Sequence, residues 1–168
     1  MIRPINVTDI EAITHIYNHY ICNTIVTFET AIITVEEMKQ RVANSVENGL
    51  PWLVAEDDNG SIVGYAYAST WKGRCAYKHS VEITVYLDNN VMAKGWGSKL
   101  YSELFVELKN RDIHTAIGGI SLPNPASIAL HEKFAMKKVA HFEQVGRKFD
   151  HWVDVGYWQC LIPVCKSI

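Results

Sequence analysis

Apolar positions change their spacing several times along this chain, and each change predicts an element. Ile2 to Asn6 reads as a short strand. Ile10, Ile13, Ile16, Tyr17 and Tyr20 then recur at helical spacing, and Thr8 followed by Glu11 forms a capping box, so a helix is predicted through about Ile21. A second capping box, Thr34 with Glu37, predicts a helix through about Glu47, stopped by Asn48-Gly49 and Pro51. Cys22 to Ile33 connects the two without a cap. Strands are predicted over Trp52 to Glu56 and Ser61 to Thr70, on either side of the hairpin signal Asn59-Gly60. In the next segment Val81, Ile83, Val85 and Leu87 alternate with Glu82 and Thr84, as in a strand with two different faces. After Gly95 the period becomes helical, with Trp96, Leu100, Leu104 and Leu108 on one stripe. Ile113 to Ile120 predicts a strand, Ser121 to Pro125 a turn and Ala126 to Phe134 a short helix. Val139 to Glu143 and Trp152 to Leu161 close the chain as an antiparallel pair. The order β-α-α-β-β-β-α-β-α-β-β places the chain in the α/β (α+β) class, a mixed sheet with helices on both faces.

Composition narrows the function classes. A chain of 168 residues has room for one domain with a full core, so 1–168 is expected to be a single domain. Hydrophobic residues make up 48%, charged residues 20%, and the formal net charge is −2, which offers no general attraction to nucleic acid. No apolar run reaches the roughly 18 residues of a membrane span, and the N-terminus MIRPINVTDIEA carries no signal-peptide pattern, so a cytoplasmic protein is expected. Cys22, Cys75, Cys160 and Cys165 show no Cys-x-x-Cys spacing and read as reduced and structural. His15 and His19 have the four-residue spacing of a zinc pair, but Ile16 stands where a metalloprotease needs Glu, and no metal is expected.

The densest chemistry lies between Val81 and Tyr101. There a strand bearing one acid, Glu82, leads through Asp88-Asn89-Asn90 to Gly95-Trp96-Gly97 at the start of a helix. The first N–H groups of a helix have no intrahelical partner, and glycine lets an anion approach the backbone, so a phosphate is favoured there, with Lys94 and Ser98 as further donors. Glycines at such a turn also serve tight geometry without a ligand. Leu100 occupies the place of the third glycine of a dinucleotide fingerprint, and the Gly-Lys-Ser/Thr ending of a P-loop is missing, which excludes both patterns.

With these residues in view the chain resembles the Gcn5-related N-acetyltransferases (GNAT), and within them the bacterial phosphinothricin and methionine sulfoximine or sulfone acetyltransferases. The resemblance runs through TFET at Thr27 to Thr30, WKGRCAY at Trp71 to Tyr77, VEITVYL at Val81 to Leu87, AKGWGSKLY at Ala93 to Tyr101, LPNPASIALHEK at Leu122 to Lys133 and WVDVGYWQ at Trp152 to Gln159. Two positions depart from the family pattern. Met92 replaces the usual Gln or Arg at the head of the pyrophosphate loop, and Phe134-Ala135-Met136 replaces Leu-Gly-Phe or Leu-Gly-Tyr, setting Ala at a candidate left-handed position.

The resemblance implies a mostly antiparallel sheet of about seven strands and a ternary-complex transfer from acetyl-CoA to the α-amine of a small amino-acid analogue. It puts Glu82 at the general base that takes the ammonium proton. Backbone N–H groups of Val85, Tyr86 and Leu87 take the oxyanion and pair with the pantetheine arm like an added strand. Ala93, Lys94, Gly95, Trp96, Gly97 and Ser98 cradle the pyrophosphate, with Asn124 and Ser127 also on the cofactor. His131 falls at the acid that protonates the departing thiolate. Arg74, with a guanidinium suited to a carboxylate, and Phe28, Cys75, Ala76 and Tyr77 fall at the acceptor pocket. No cysteine occupies a matched catalytic position, so no acetyl-cysteine intermediate is expected, and a homodimer is implied by resemblance alone. A protein N-terminal or polyamine acetyltransferase, and an acyl-CoA-binding sensor without catalysis, are the rival readings on the same fold.

Overall fold

A computed structural model describes residues 1–91 and 95–163; the expectations for Met92, Ala93, Lys94 and Cys165 lie outside the described residues. Its strands are β1 (Ile2–Pro4), β2 (Trp52–Glu56), β3 (Ile62–Thr70), β4 (Ser80–Leu87), β5 (Thr115–Leu122), β6 (Lys137–Lys148) and β7 (His151–Leu161), and its helices α1 (Ile10–Asn23), α2 (Val35–Glu47), α3 (Trp96–Lys109) and α4 (Pro125–Lys133). The element order read from the apolar spacing is therefore the observed one.

Most boundaries follow from local chemistry. Thr34 Oγ1 accepts the Glu37 N–H at 3.2 Å while Glu37 accepts the Thr34 N–H at 2.7 Å, the reciprocal box expected at the start of α2. The corresponding box before α1 is displaced. A 3-10 turn over Val7–Asp9 precedes that helix, and the carboxylate that closes the turn is Asp9, which accepts the Asn6 N–H at 2.7 Å. Asp9 wins over Glu11 because Arg3 holds it from the neighbouring strand, with Nη1 and Nη2 at 2.7 and 2.9 Å. At the other end of the fold, β6 is much longer than the segment predicted from Val139 to Glu143, because it is an edge strand with no alternating apolar face and is held by pairing to β7 across a bulge between Phe142 and Gly146. Ala135 does adopt the left-handed conformation, with φ of 58°. It sits just past the α4 C-terminus, where Met136 N–H donates to His131 C=O and Ala135 N–H to Glu132 C=O, the paired bonds that normally recruit glycine.

The sheet has the order β1-β2-β3-β4-β5-β7-β6. Helices α1 and α2 cover one face, where Ile13, Ile16, Tyr17, Met38 and Val42 pack on Trp52, Val54, Tyr65 and Tyr86. On the other face α3 lays Leu100, Tyr101, Leu104 and Leu108, each 0% exposed, against Val81, Ile83 and Ala66. Full burial of each such leucine contributes about 1.5–3 kcal/mol.

The feature that positions the site is a break in pairing. Strands β4 and β5 run parallel but pair only at Ser80↔Thr115, Val81↔Ala116 and Glu82↔Ile117. Past that point β4 stays on β3 as far as Leu87↔Gly64, and β5 stays on β7 as far as Leu122↔Asp154. The two strands therefore part in the middle of the sheet, leaving facing backbone edges without a strand partner beyond Glu82.

Candidate active site

Alternation along β4 sends Val81 and Ile83 into the α3 core and turns Glu82, Thr84 and Tyr86 toward the α1 face. There they line a cavity of about 740 Å³ with Thr27, Phe28, Tyr67, Ser121, Arg147 and Tyr157. The volume is that of a small-molecule pocket rather than a groove for a folded protein. Glu82 is half-buried on a central strand, and desolvation pushes its carboxyl above the usual range, with the Lys72 charge as the opposing influence. A base poised nearer neutral pH results.

Two glycines on β5, which the sequence reading passed over, make room for the chemistry on both faces of the sheet. A Cβ on Gly119 would stand 3.2 Å from Glu82 Oε1 and 3.2 Å from Tyr157 Cε1, and a Cβ on Gly118 would collide with the His131 imidazole on the opposite face. A Gly-Gly pair inside a strand pattern is the signal that points to such close approach.

His131 is 3% exposed and both ring nitrogens are engaged. Nδ1 lies 2.7 Å from the Ser127 carbonyl, which can only accept, so Nδ1 carries the hydrogen; Nε2 lies 3.1 Å from the Tyr101 hydroxyl and accepts from it. Burial lowers the imidazole pKa, against the Ser127 carbonyl bond, and favours this neutral form. His131, Tyr101, Asn124 and Ser127 line a narrow cleft between the parted strands together with Thr84, Val85, Tyr86 and Ser121. Asn124 caps α4, its Oδ1 accepting the Ser127 N–H at 3.1 Å. Thr84, Tyr86, Gly119 and Ser121 border both this cleft and the Glu82 cavity, so the two spaces meet at the parting of β4 and β5.

The two glycines of Gly95-Trp96-Gly97 have different duties. Gly95 is the N-cap of α3 with φ of 77°, and a Cβ there would meet nothing within 4 Å among the described residues. Gly97 is buried and serves packing, since a Cβ would stand 3.3 Å from Leu130 Cδ2 on α4. Ser98 Oγ accepts from Lys133 Nζ at 3.0 Å, which sets a cation beside that N-terminus.

Of the residues expected at the acceptor wall, Phe28 lines the cavity and packs over Gly146, where a Cβ would come within 2.6 Å of its Cδ1. The segment carrying it is tied down by Lys148 Nζ, which donates to the Thr27 carbonyl at 2.7 Å, and by the Tyr17–Thr27 hydroxyl contact at 2.9 Å. Arg74, Cys75, Ala76 and Tyr77 are not in the lining. They form an exposed 3-10 turn and its cap, and the cation in the lining is Arg147 from β6. The WKGRCAY segment reaches the site through its first residues instead: Trp71 meets Tyr157 edge-on at 5.6 Å, and the Lys72 charge acts on Glu82.

A family model described as an acetyltransferase (GNAT) domain matches residues 2–156. The chain belongs to the GNAT acetyltransferase family. Among its relatives, a phosphinothricin N-acetyltransferase of Streptomyces coelicolor is 39% identical over 94% of this chain and 94% of that protein. An L-methionine sulfoximine/L-methionine sulfone acetyltransferase of Salmonella typhimurium is 33% identical over 94% of this chain and 92% of its own length. Among solved structures, a GNAT superfamily phosphinothricin acetyltransferase from Sinorhizobium meliloti, in complex with AcCoA, superposes with a TM-score of 0.94 at 32% identity, covering 96% of this chain and 88% of that one. The acetyltransferase fold and family expected from the ordered motifs are thus established, and this GNAT enzyme's seven-stranded sheet is the scaffold that the resemblance implied.

Proposed function

We propose that this GNAT enzyme transfers acetyl from acetyl-CoA to the α-amine of a small amino-acid analogue of the phosphinothricin, methionine sulfoximine or methionine sulfone type. The observation that carries the reading is the half-buried Glu82 facing a cavity of about 740 Å³ that meets the gap between β4 and β5. The gap suits a pantetheine arm, because among the described residues the strand edges beyond Glu82↔Ile117 have no strand partner and the buried Ser121 hydroxyl has no hydrogen-bond partner. Acetyl-CoA, when bound, supplies an activated acetyl thioester.

In this reading Glu82 accepts a proton from the acceptor's ammonium, directly or through a water, and leaves a neutral amine to attack. Backbone N–H groups of Val85 and Leu87, which lie on the gap side while that of Tyr86 lies on the β3 side, stabilise the charge that develops on the carbonyl oxygen. Gly95 to Ser98 hold the pyrophosphate at the α3 N-terminus. Asn124 and Ser127 border the arm. His131, neutral and accepting the Tyr101 O–H at Nε2, fixes that hydroxyl beside the arm, and the departing thiolate takes up the proton that the acceptor nitrogen loses. Arg147, an exposed residue of the lining whose Nη2 lies 3.2 Å from Asp150, exchanges that partner for the acceptor carboxylate; a guanidinium matches that group's geometry. The whole chain acts as one catalytic domain.

A homodimer fits the exposed apolar side chains of the β6–β7 hairpin, where Val145 and Trp152 are each 60% exposed. Cytoplasmic placement fits the free, exposed Cys22 and Cys75; no helix among the described residues is long and apolar enough to cross a membrane.

Thiol release from acetyl-CoA, followed with phosphinothricin, methionine sulfoximine and methionine sulfone, tests the reading. Release with at least one of the three and mass-spectrometric detection of its N-acetylated product are expected. No release with any of them overturns the acceptor class.

A further inference from the structure

Ser121 is 4% exposed, and its hydroxyl has no hydrogen-bond partner among the described residues. Burying a hydroxyl without a partner is unfavourable, so a position that keeps one has a reason outside the folded chain's own bonding. Its place gives that reason. Ile117, Gly119 and Ser121 alternate onto the Glu82 side of β5, while Ala116, Gly118 and Ile120 face α3 and α4. The parallel register ends at Glu82↔Ile117. Carried forward in steps of two, it sets Gly119 level with Thr84 and Ser121 level with Tyr86, across the gap where the strands have separated. Ser121 accordingly borders both the narrow cleft and the acceptor cavity.

We propose that Ser121 Oγ is a hydrogen-bond partner of an amide in the pantetheine arm of acetyl-CoA. The backbone of Thr84 to Leu87 holds the arm along one edge, and Ser121 holds it from the other. The arm's amides offer both an N–H and a C=O, and a hydroxyl can donate or accept, so one side chain suffices for this contact. Fixing the arm on both sides limits its sliding along the gap and so holds the acetyl group at the level of Glu82. This inference rests on the acetyl-CoA reading above, and the test separates the two.

Titration calorimetry compares the native enzyme and Ser121→Ala for acetyl-CoA and for 3′-phospho-ADP, which has the nucleotide but no pantetheine arm, and melting of the ligand-free proteins is recorded alongside. Removing the hydroxyl is expected to weaken acetyl-CoA by about 5- to 10-fold, the loss of one ordinary hydrogen bond. Affinity for 3′-phospho-ADP stays the same, and the melting temperature of the ligand-free variant is equal or higher, because an unsatisfied group has been removed. Opposite signs for ligand binding and ligand-free stability are not produced by a residue that merely fills space. Unchanged acetyl-CoA affinity, as when a water satisfies Oγ, overturns the inference while leaving the acetyl-CoA reading intact. Equal loss of both ligands, or a lower ligand-free melting temperature, also overturns it. Failure of the native enzyme to bind acetyl-CoA overturns both.

Discussion

Glu82→Gln is expected to lower kcat by about 10²-fold or more while leaving acetyl-CoA affinity nearly unchanged. The amide has the size of the carboxylate, so the cavity keeps its shape; what disappears is the group that accepts the ammonium proton. Binding of acetyl-CoA is expected to survive because its proposed contacts lie along the β4–β5 gap and at the α3 N-terminus. The pH profile provides the second readout. Desolvation raises the Glu82 pKa above the usual carboxylate value, with Lys72 only partly opposing. A base works when ionised, so kcat/KM of the native enzyme falls as pH drops through that raised pKa, at a higher pH than an exposed glutamate would give. In the variant this limb is absent. An unaltered kcat with the acidic limb retained removes Glu82 from the role of base.

Gly118→Ala is expected to destabilise the enzyme by about 1–3 kcal/mol, the usual effect of forcing atoms into a packed interior. The new Cβ would come within 2.5 Å of His131 Cδ2. A flexible surface side chain would swing aside, but this imidazole is 3% exposed and is held by the Ser127 carbonyl at 2.7 Å and the Tyr101 hydroxyl at 3.1 Å. Relief therefore requires breaking those bonds or moving α4. Urea unfolding of Gly118→Ala, His131→Ala and the double variant isolates the cause. The double variant is expected to be more stable than the sum of the single effects allows, by about 0.5–3 kcal/mol. Strict additivity, or an unchanged midpoint in Gly118→Ala, contradicts the close packing of β5 on His131.

The order of elements was legible because amphipathic periods are long-lived signals: Leu100, Leu104 and Leu108 mark one face of α3 whatever lies around them, and the Thr34–Glu37 box is complete within four residues. The acid on β4 was legible for the same reason, since Glu82 interrupts an apolar alternation and the structure turns it into a cavity. What the chain's linear pattern did not reveal depends on partners distant in sequence. Asp9 closes the turn before α1 because Arg3 on β1 binds it, and nothing between Thr8 and Glu11 records that. Arg147 reaches the cavity by way of a bulged edge strand whose exposed residues have no period to read. Arg74 was expected at the acceptor for its guanidinium in the WKGRCAY segment, yet as the cap of an exposed 3-10 turn it lies outside the lining. Gly118 and Gly119 did carry a signal, but one whose meaning required knowing that His131 and Glu82 lie on opposite faces of β5.

The most direct test of the central claim is a comparison of kcat/KM with acetyl-CoA as donor among phosphinothricin, methionine sulfoximine, methionine sulfone, spermidine and a peptide with a free N-terminus, read as thiol release with the acetylated atom identified by mass spectrometry. The small-molecule volume of the cavity, about 740 Å³ with Glu82 and Arg147 both in its lining, predicts the highest value for one of the free amino-acid analogues, acetylated on its α-nitrogen. A higher value for the peptide or for spermidine would contradict it.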